Sequence, residues 1–167
     1  NWALLLVLSS ALPVNLPGDM LNSILLLALA APAQERVMTP ELLWDLQRIG
    51  STSVTADGST AAYAVRDYDL GTNSGRSTIH VVDLASGDTR VLLDDWRSAG
   101  ALQFRPTAHG ERLMFAGRPD VDGASTQLYA LNITDGSLKQ ITDVEGGVAN
   151  VKVAPDAKHV AFTMDVK

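Results

Sequence analysis

Ile79-His-Val-Val-Asp83-Leu84-Ala-Ser-Gly87-Asp-Thr-Arg-Val-Leu92 aligns without a gap on Leu128-Tyr-Ala-Leu-Asn132-Ile133-Thr-Asp-Gly136-Ser-Leu-Lys-Gln-Ile141, 49 residues further on. Apolar falls on apolar and glycine on glycine. Each copy reads as a strand with alternating apolar residues, a tight turn at Ser86-Gly87 or Asp135-Gly136, and a returning strand. The residues in front of each copy repeat as well. Val54-Thr-Ala-Asp57-Gly58 precedes Ala61-Ala62-Tyr63, Phe104-Arg-Pro106 and Gly110 precede Leu113-Met114-Phe115, and Val153-Ala-Pro155-Asp156 precedes Val160-Ala161-Phe162. A unit of four short strands recurring every ~50 residues is the signature of β-propeller blades, whose apolar faces are buried only by stacking on neighbours.

The rest of the chain from residue 51 onward fits that unit. Further strands are expected at 60–65, 78–84, 89–93, 112–116, 127–133, 138–142, 150–153 and 159–164. Short sequential strands joined by tight turns imply antiparallel meanders and exclude a doubly wound nucleotide-binding fold. Tyr63, Phe115 and Phe162 are expected at equivalent buried places between blades. The fold class is therefore all-β, an incomplete propeller with blades at about 51–97 and 98–146 and the start of a third at 147–167. An open meander or sandwich with two similar hairpins is the competing reading. A closed ring needs roughly four to eight blades, so marginal stability and a tendency to associate are expected of this chain by itself.

Ahead of the blades the composition changes. Residues 1–34 carry one charge, Asp19, whereas all 13 Lys and Arg lie beyond them. The apolar runs 2–8 and 21–33 are separated by Pro13, Pro17 and Gly18, and neither reaches the ~20 residues of a spanning helix. No stable membrane anchor is expected. The run from Ile24 to Ala31, followed by Ala31-Pro32-Ala33, has the form of a signal h-region with small residues before a cleavage point at Gln34. Residues 1–33 are read as an export leader, which places the protein in the periplasm or outside the cell. The leader has no basic n-region and the chain opens on Asn1, so Met20 is an alternative start and a buried apolar helix an alternative reading. Residues 34–50 are read as a short docking helix and linker, with Thr39 as cap, Pro40 and Glu41 in the first turn, and Leu42, Leu43, Leu46 and Ile49 on one face before Gly50.

Composition removes several classes of chemistry. A net charge of −6 without a basic cluster disfavours a nucleic-acid partner, and zero cysteines exclude disulfides, thiolate metal sites and cysteine nucleophiles. With 46% apolar and 19% charged residues the chain is too hydrophobic for a disordered one. Gly71-Thr-Asn-Ser74-Gly75 misplaces its serine by one position for a nucleophile elbow and lies in a loop, so Ser74 reads as a turn residue. Asp67-Tyr-Asp69 with Asn73 starts like a calcium loop but has Thr72 and Thr78 where glycine and glutamate belong, and Asp120-Val-Asp122-Gly123 is too short for one. His80, His109 and His159 have no ligand partners near them in sequence, and Asn132-Ile-Thr134 is a glycosylation sequon on a turn. No catalytic, cofactor-binding or metal-binding residue is assigned, and no cofactor is expected.

Thr39-Pro-Glu-Leu-Leu-Trp44-Asp-Leu-Gln-Arg48, Val54-Thr-Ala-Asp57-Gly58, Tyr63, Asp67-Tyr-Asp69-Leu-Gly-Thr-Asn73-Ser-Gly75, Ile79 and Gly87 resemble the N-terminal propeller region of bacterial prolyl oligopeptidase-family serine peptidases, of the dipeptidyl or acylaminoacyl peptidase kind. The resemblance covers residues 38–167. It departs from the family where Thr55-Ala56 replaces Ser-Pro and His109-Gly110 replaces Asp-Gly. It implies a propeller that limits access of peptide substrates to an α/β-hydrolase domain carrying the Ser, Asp and His. None of those residues has a counterpart here, nor does the acidic pair that holds a substrate amino terminus, since Glu35, Glu41, Glu111 and Glu145 are isolated. The alternative function is a non-catalytic exported propeller that binds a protein partner.

Overall fold

The computed structural model describes residues 38–108 and 110–165. The leader of residues 1–33, its expected cleavage site and His109 lie outside the described residues. Helix α1 (Pro40–Asp45) precedes ten strands: β1 (Arg48–Val54), β2 (Thr60–Asp69), β3 (Ser74–Asp83), β4 (Thr89–Trp96), β5 (Ser98–Thr107), β6 (Gly110–Arg118), β7 (Gln127–Asn132), β8 (Leu138–Gln140), β9 (Ala149–Val153) and β10 (Val160–Thr163). They form four-stranded sheets in the orders β1-β2-β3-β4 and β5-β6-β7-β8 and a two-stranded sheet of β9 and β10. Every neighbouring pair is antiparallel. The described chain is an incomplete β-propeller of two blades and the first two strands of a third.

The repeat seen in the sequence is reproduced bond for bond. In the β3–β4 turn Gly87 N donates to Asp83 O at 2.8 Å and Asp83 N to Asp88 O at 2.9 Å. In the β7–β8 turn Gly136 N donates to Asn132 O and Asn132 N to Ser137 O, both at 2.9 Å. Gly87 and Gly136 take φ of 80° and 71°, a region closed to most side chains, which is why glycine stands at both positions. In the β1–β2 turn Gly58 has a φ of 72°, whereas the β9–β10 turn puts Ala157 into the same region at 56°.

The first turn of blade 1 is held by a carboxylate. Asp57 Oδ1 accepts from Thr55 Oγ1 at 2.6 Å, Ser59 Oγ at 2.9 Å and Ser59 N at 3.0 Å. These donors, the Thr55 hydroxyl first, hold its pKa down at about 2 from the ordinary 3.8. A folded-state pKa below the unfolded one contributes stability above pH 3.8 and loses it as the pH falls toward 2. Asp57→Asn is accordingly expected to flatten the fall of the urea midpoint across that window, measured by titrating both proteins.

Two apolar clusters lie between the blades. Between blades 1 and 2, Ala62, Ala64 and Ile79 receive Leu113, Phe115, Tyr129 and Leu131, with Leu102 and Phe104 from β5. Trp96 at the end of β4 sets its ring edge on Phe115 at 5.5 Å and on Tyr129 at 4.8 Å, and those two rings stack at 5.5 Å. Between blades 2 and 3, Met114 and Leu128 meet Val148, Val151 and Val153. Successive side chains of one strand thus serve opposite junctions, as strand pleating requires. The buried amide of Gln127 ties down the link to blade 3. Its Nε2 donates to Val144 O at 2.8 Å, and its Oε1 accepts from Thr142 Oγ1 at 2.7 Å and Val144 N at 3.2 Å.

Three sequence expectations need correction. The helix ends at Asp45 because Leu46 is already extended, so Ile49 and Gly50 belong to β1 and not to a helical face. Strands β2 and β3 run to ten residues each, beyond the expected 60–65 and 78–84, and β1 and β5 stand where no strand was expected. Phe115 is fully buried but Tyr63 is only half-buried and Phe162 is 37% exposed. Tyr63 does sit on the face of blade 1 that corresponds to the Phe115 face of blade 2, stacked on His80 at 5.1 Å as Phe115 is on Tyr129. On that face Ile49, Val54 and Val91 are exposed, whereas Val65 is buried.

Candidate functional site: the α1 end of the blades

Helix α1 has six residues, too few to persist without a support. Thr39 caps it by accepting from Leu42 N at 3.1 Å, and Pro40 supplies the preset φ of a first turn. Its support is the end of β2. Trp44 meets the Tyr68 ring edge-on at 5.7 Å, and the Arg48 guanidinium lies 4.8 Å from the Tyr68 ring centre and 5.3 Å from that of Trp44. Arg66, paired with Arg48 across the β1–β2 ladder, also lies over Tyr68, at 5.1 Å. The helix is pinned by one edge, and Met38, Leu43, Leu46 and, in the β2–β3 loop, Leu70 remain exposed. A group of large apolar side chains is therefore gathered at this end.

Charge pairing fixes the loops beside it. Asp120, in the β6–β7 loop, accepts from Arg76 at 2.6 Å and from both Nε and Nη2 of Arg97 at 3.0 and 2.8 Å. Arg76 also pairs with Asp95 at 3.1 Å. The Arg76 hydrogen bond first, then that of Arg97, holds the Asp120 carboxyl below its ordinary pKa. Single exposed pairs add little, but this network joins β3, the β4–β5 junction and the β6–β7 loop across two blades. Arg66 adds a bond from Nη1 to Arg97 O at 3.2 Å. A concavity of about 250 Å³ opens among Arg66, Asn73, Ser74 and Arg97.

Ser74 sits in that concavity as the first residue of β3, within 2.7 Å of Thr72 Oγ1. It is a turn hydroxyl with no histidine against it among the described residues. Asp69 turns its Oδ1 onto the backbone N–H groups of Gly71 (2.7 Å) and Thr72 (3.2 Å), which closes the loop on itself. Those two bonds, Thr72 first, hold the Asp69 carboxyl below its ordinary value. Asp120 is engaged by arginines, His80 stacks on Tyr63, and Asn132 Oδ1 accepts from Thr134 N at 3.0 Å inside its hairpin. Sequence reasoning missed a second concavity of about 580 Å³ at the opposite end, where Arg90 reaches from β4 to the carbonyl of Ile133 in the next blade, above Asp83, Asp88 and Thr134. The only signal for it was that Arg90 and Ile133 flank equivalent turns.

No family model matches the chain. Dipeptidyl-peptidase 5 of Porphyromonas gingivalis is 33% identical over 132 residues, which take in 78% of this chain and 18% of that protein. By sequence this chain is similar to dipeptidyl peptidases. The dipeptidyl-peptidase 5 of Porphyromonas endodontalis is 26% identical over 136 residues, 81% of this chain and 19% of that protein. This chain thus spans less than a fifth of the length of these relatives. Among solved structures, the acylaminoacyl peptidase of Pyrococcus horikoshii superposes on 71% of this chain and 17% of its own with a TM-score of 0.54 at 14% identity. That likeness shows the fold, stacked blades of a β-propeller.

Proposed function

We propose that this chain is the leading propeller section of an exported serine peptidase, in which the blades limit access of peptide substrates and the catalytic serine, histidine and aspartate lie beyond Lys167. The observation that carries this reading is the 33% identity to a dipeptidyl peptidase over 132 residues that make up 18% of it, set beside a fold shared with an acylaminoacyl peptidase. The residue chemistry is compatible with it. Asp69, Ser74 and Asp120 are engaged in turns and loop pairing. The exposed apolar group of Met38, Leu43, Leu46 and Leu70 supports docking of the α1 end against a further domain.

Reading the coding sequence downstream of Lys167 tests the proposal. An α/β-hydrolase frame with a Gly-x-Ser-x-Gly elbow is the expected result. Further blades ending in a stop codon would overturn it in favour of a non-catalytic propeller. Export has its own test. Edman sequencing of secreted protein is expected to begin at Gln34, after Ala31-Pro32-Ala33, and full-length leader on cytoplasmic protein would contradict it.

A further inference from the structure

Three arginines line the concavity at the α1 end, and two of them already hold carboxylates. Arg97 sets Nε and Nη2 on Asp120 at 3.0 and 2.8 Å, and Arg76 divides the same pair of nitrogens between Asp95 at 3.1 Å and Asp120 at 2.6 Å. Arg66 is held differently. Its Nη1 donates to Arg97 O at 3.2 Å and to Ser77 Oγ at 3.4 Å, whereas Nε and Nη2, the edge that matches two carboxylate oxygens, have no acceptor among the described residues. The guanidinium is nonetheless fixed in place. Its Cζ lies 5.1 Å from the Tyr68 ring centre, and Gly75, opposite Tyr68 on β3, leaves room for it. A Cβ at Gly75 would meet Arg66 Nη2 at 2.7 Å and Cζ and Nε at 3.0 Å. Gly75 is not among the glycines of positive φ, so this close approach, and not a turn, is what requires glycine there. Asn73 and Ser74 complete the lining with an amide and a hydroxyl.

We propose that Arg66 binds a carboxylate group, taking its two oxygens on Nε and Nη2. The neighbouring forks of Arg76 and Arg97 show which acceptor this setting suits. Three guanidinium groups share two carboxylates, so the concavity keeps a positive balance that favours a third. An arginine already oriented by its own contacts loses little side-chain freedom on binding. The carboxylate belongs either to a peptide or to the chain beyond Lys167, and the second source rests on the proposed function.

Nuclear magnetic resonance of the full 167-residue chain at low ionic strength tests this. Acetyl-Ala-Ala-Glu-amide and acetyl-Ala-Ala-Ala with a free carboxyl are titrated against the Arg66 Nε–H and Ser74 amide signals, beside acetyl-Ala-Ala-Gln-amide and acetyl-Ala-Ala-Ala-amide. A saturable shift is expected with a carboxylate peptide and none with the uncharged ones. Arg66→Lys keeps the charge without the fork and is expected to bind about tenfold more weakly, read at Ser74. Gly75→Ala is expected to weaken binding too while leaving the urea midpoint nearly unchanged, because its Cβ displaces only the end of a flexible side chain. Protein extended beyond Lys167 then separates the sources, since retained binding assigns the carboxylate to a peptide and lost binding to the following chain. Titration of the 167-residue chain answers for the site, and the coding sequence beyond Lys167 answers for the proposed function. Absence of saturation with both carboxylate peptides, equal shifts with the uncharged ones, or an Arg66→Lys or Gly75→Ala chain that binds as wild type does would each overturn the proposal.

Discussion

Phe115→Ala is expected to destabilise the chain by about 3–5 kcal/mol, the range for emptying a buried aromatic site. Its ring is fully buried between blades 1 and 2 and touches Trp96 and Tyr129, so the cavity would open at the centre of the larger cluster. Total stabilities of small domains are about 5–15 kcal/mol, and one such loss removes a large share. Tyr63→Ala provides the internal contrast. It takes an aromatic from the equivalent strand position, but from a half-buried face, and is expected to cost well under half as much when measured at monomeric dilution. Urea unfolding followed by tryptophan fluorescence reads both, since Trp96 reports on the junction that Phe115 fills. Equal losses would mean that the Tyr63 face of blade 1 is already covered.

Gly147→Ala is the second large effect. Gly147 has a φ of 87°, and a Cβ there would stand 2.8 Å from Thr126 O and 3.1 Å from Thr126 N. Both obstacles are backbone atoms, which cannot rotate away. The adjacent Val148 N donates to Thr126 O at 2.8 Å, the bond that sets the link between blades 2 and 3. Strained backbone costs about 1–3 kcal/mol, and displacement of that bond adds to it. The damage is expected to be local. Hydrogen exchange at Val151 and Val153 should accelerate sharply while Ile79 and Leu113 keep their protection, because the first junction makes no use of the link. Uniform acceleration through both blades would contradict the description of two separate clusters.

What the sequence discloses of this fold follows from how local each determinant is. The Asp83–Gly87 and Asn132–Gly136 turns are legible because a positive φ and a side-chain acceptor are written within five neighbouring residues. Strands β1 and β5 are not legible, since Arg-Ile-Gly-Ser-Thr-Ser-Val and Ser-Ala-Gly-Ala-Leu-Gln-Phe-Arg-Pro-Thr place Gly, Ser and Pro where strand propensity is poor. Their register with β2 and β6 shifts at Ile49/Thr52 and Gly100/Gln103, and Ala101 takes a φ of 52° at that irregularity. Such a bulge interrupts the period-two pattern on which a strand reading depends. The α1 end was half-legible. The cap at Thr39 and the proline after it announce a helix, but the Arg48 contact with Trp44 and Tyr68 and the Arg76–Asp120–Arg97 network join residues that only the blade topology brings together. The same is true of Trp96, whose place over Phe115 and Tyr129 has no local signal.

The most direct measurement of the central reading is covalent labelling by a fluorophosphonate probe, run beside hydrolysis of free and amino-terminally blocked peptides. A serine nucleophile, its histidine base and oxyanion-hole donors must act together, and labelling follows the complete set. Purified 167-residue chain is expected to stay unlabelled and to hydrolyse neither kind of peptide, while protein expressed with the coding sequence that follows Lys167 is expected to be labelled and active. Labelling of Ser74 or any other serine of this chain, with turnover, would contradict the assignment of the chemistry to residues beyond it.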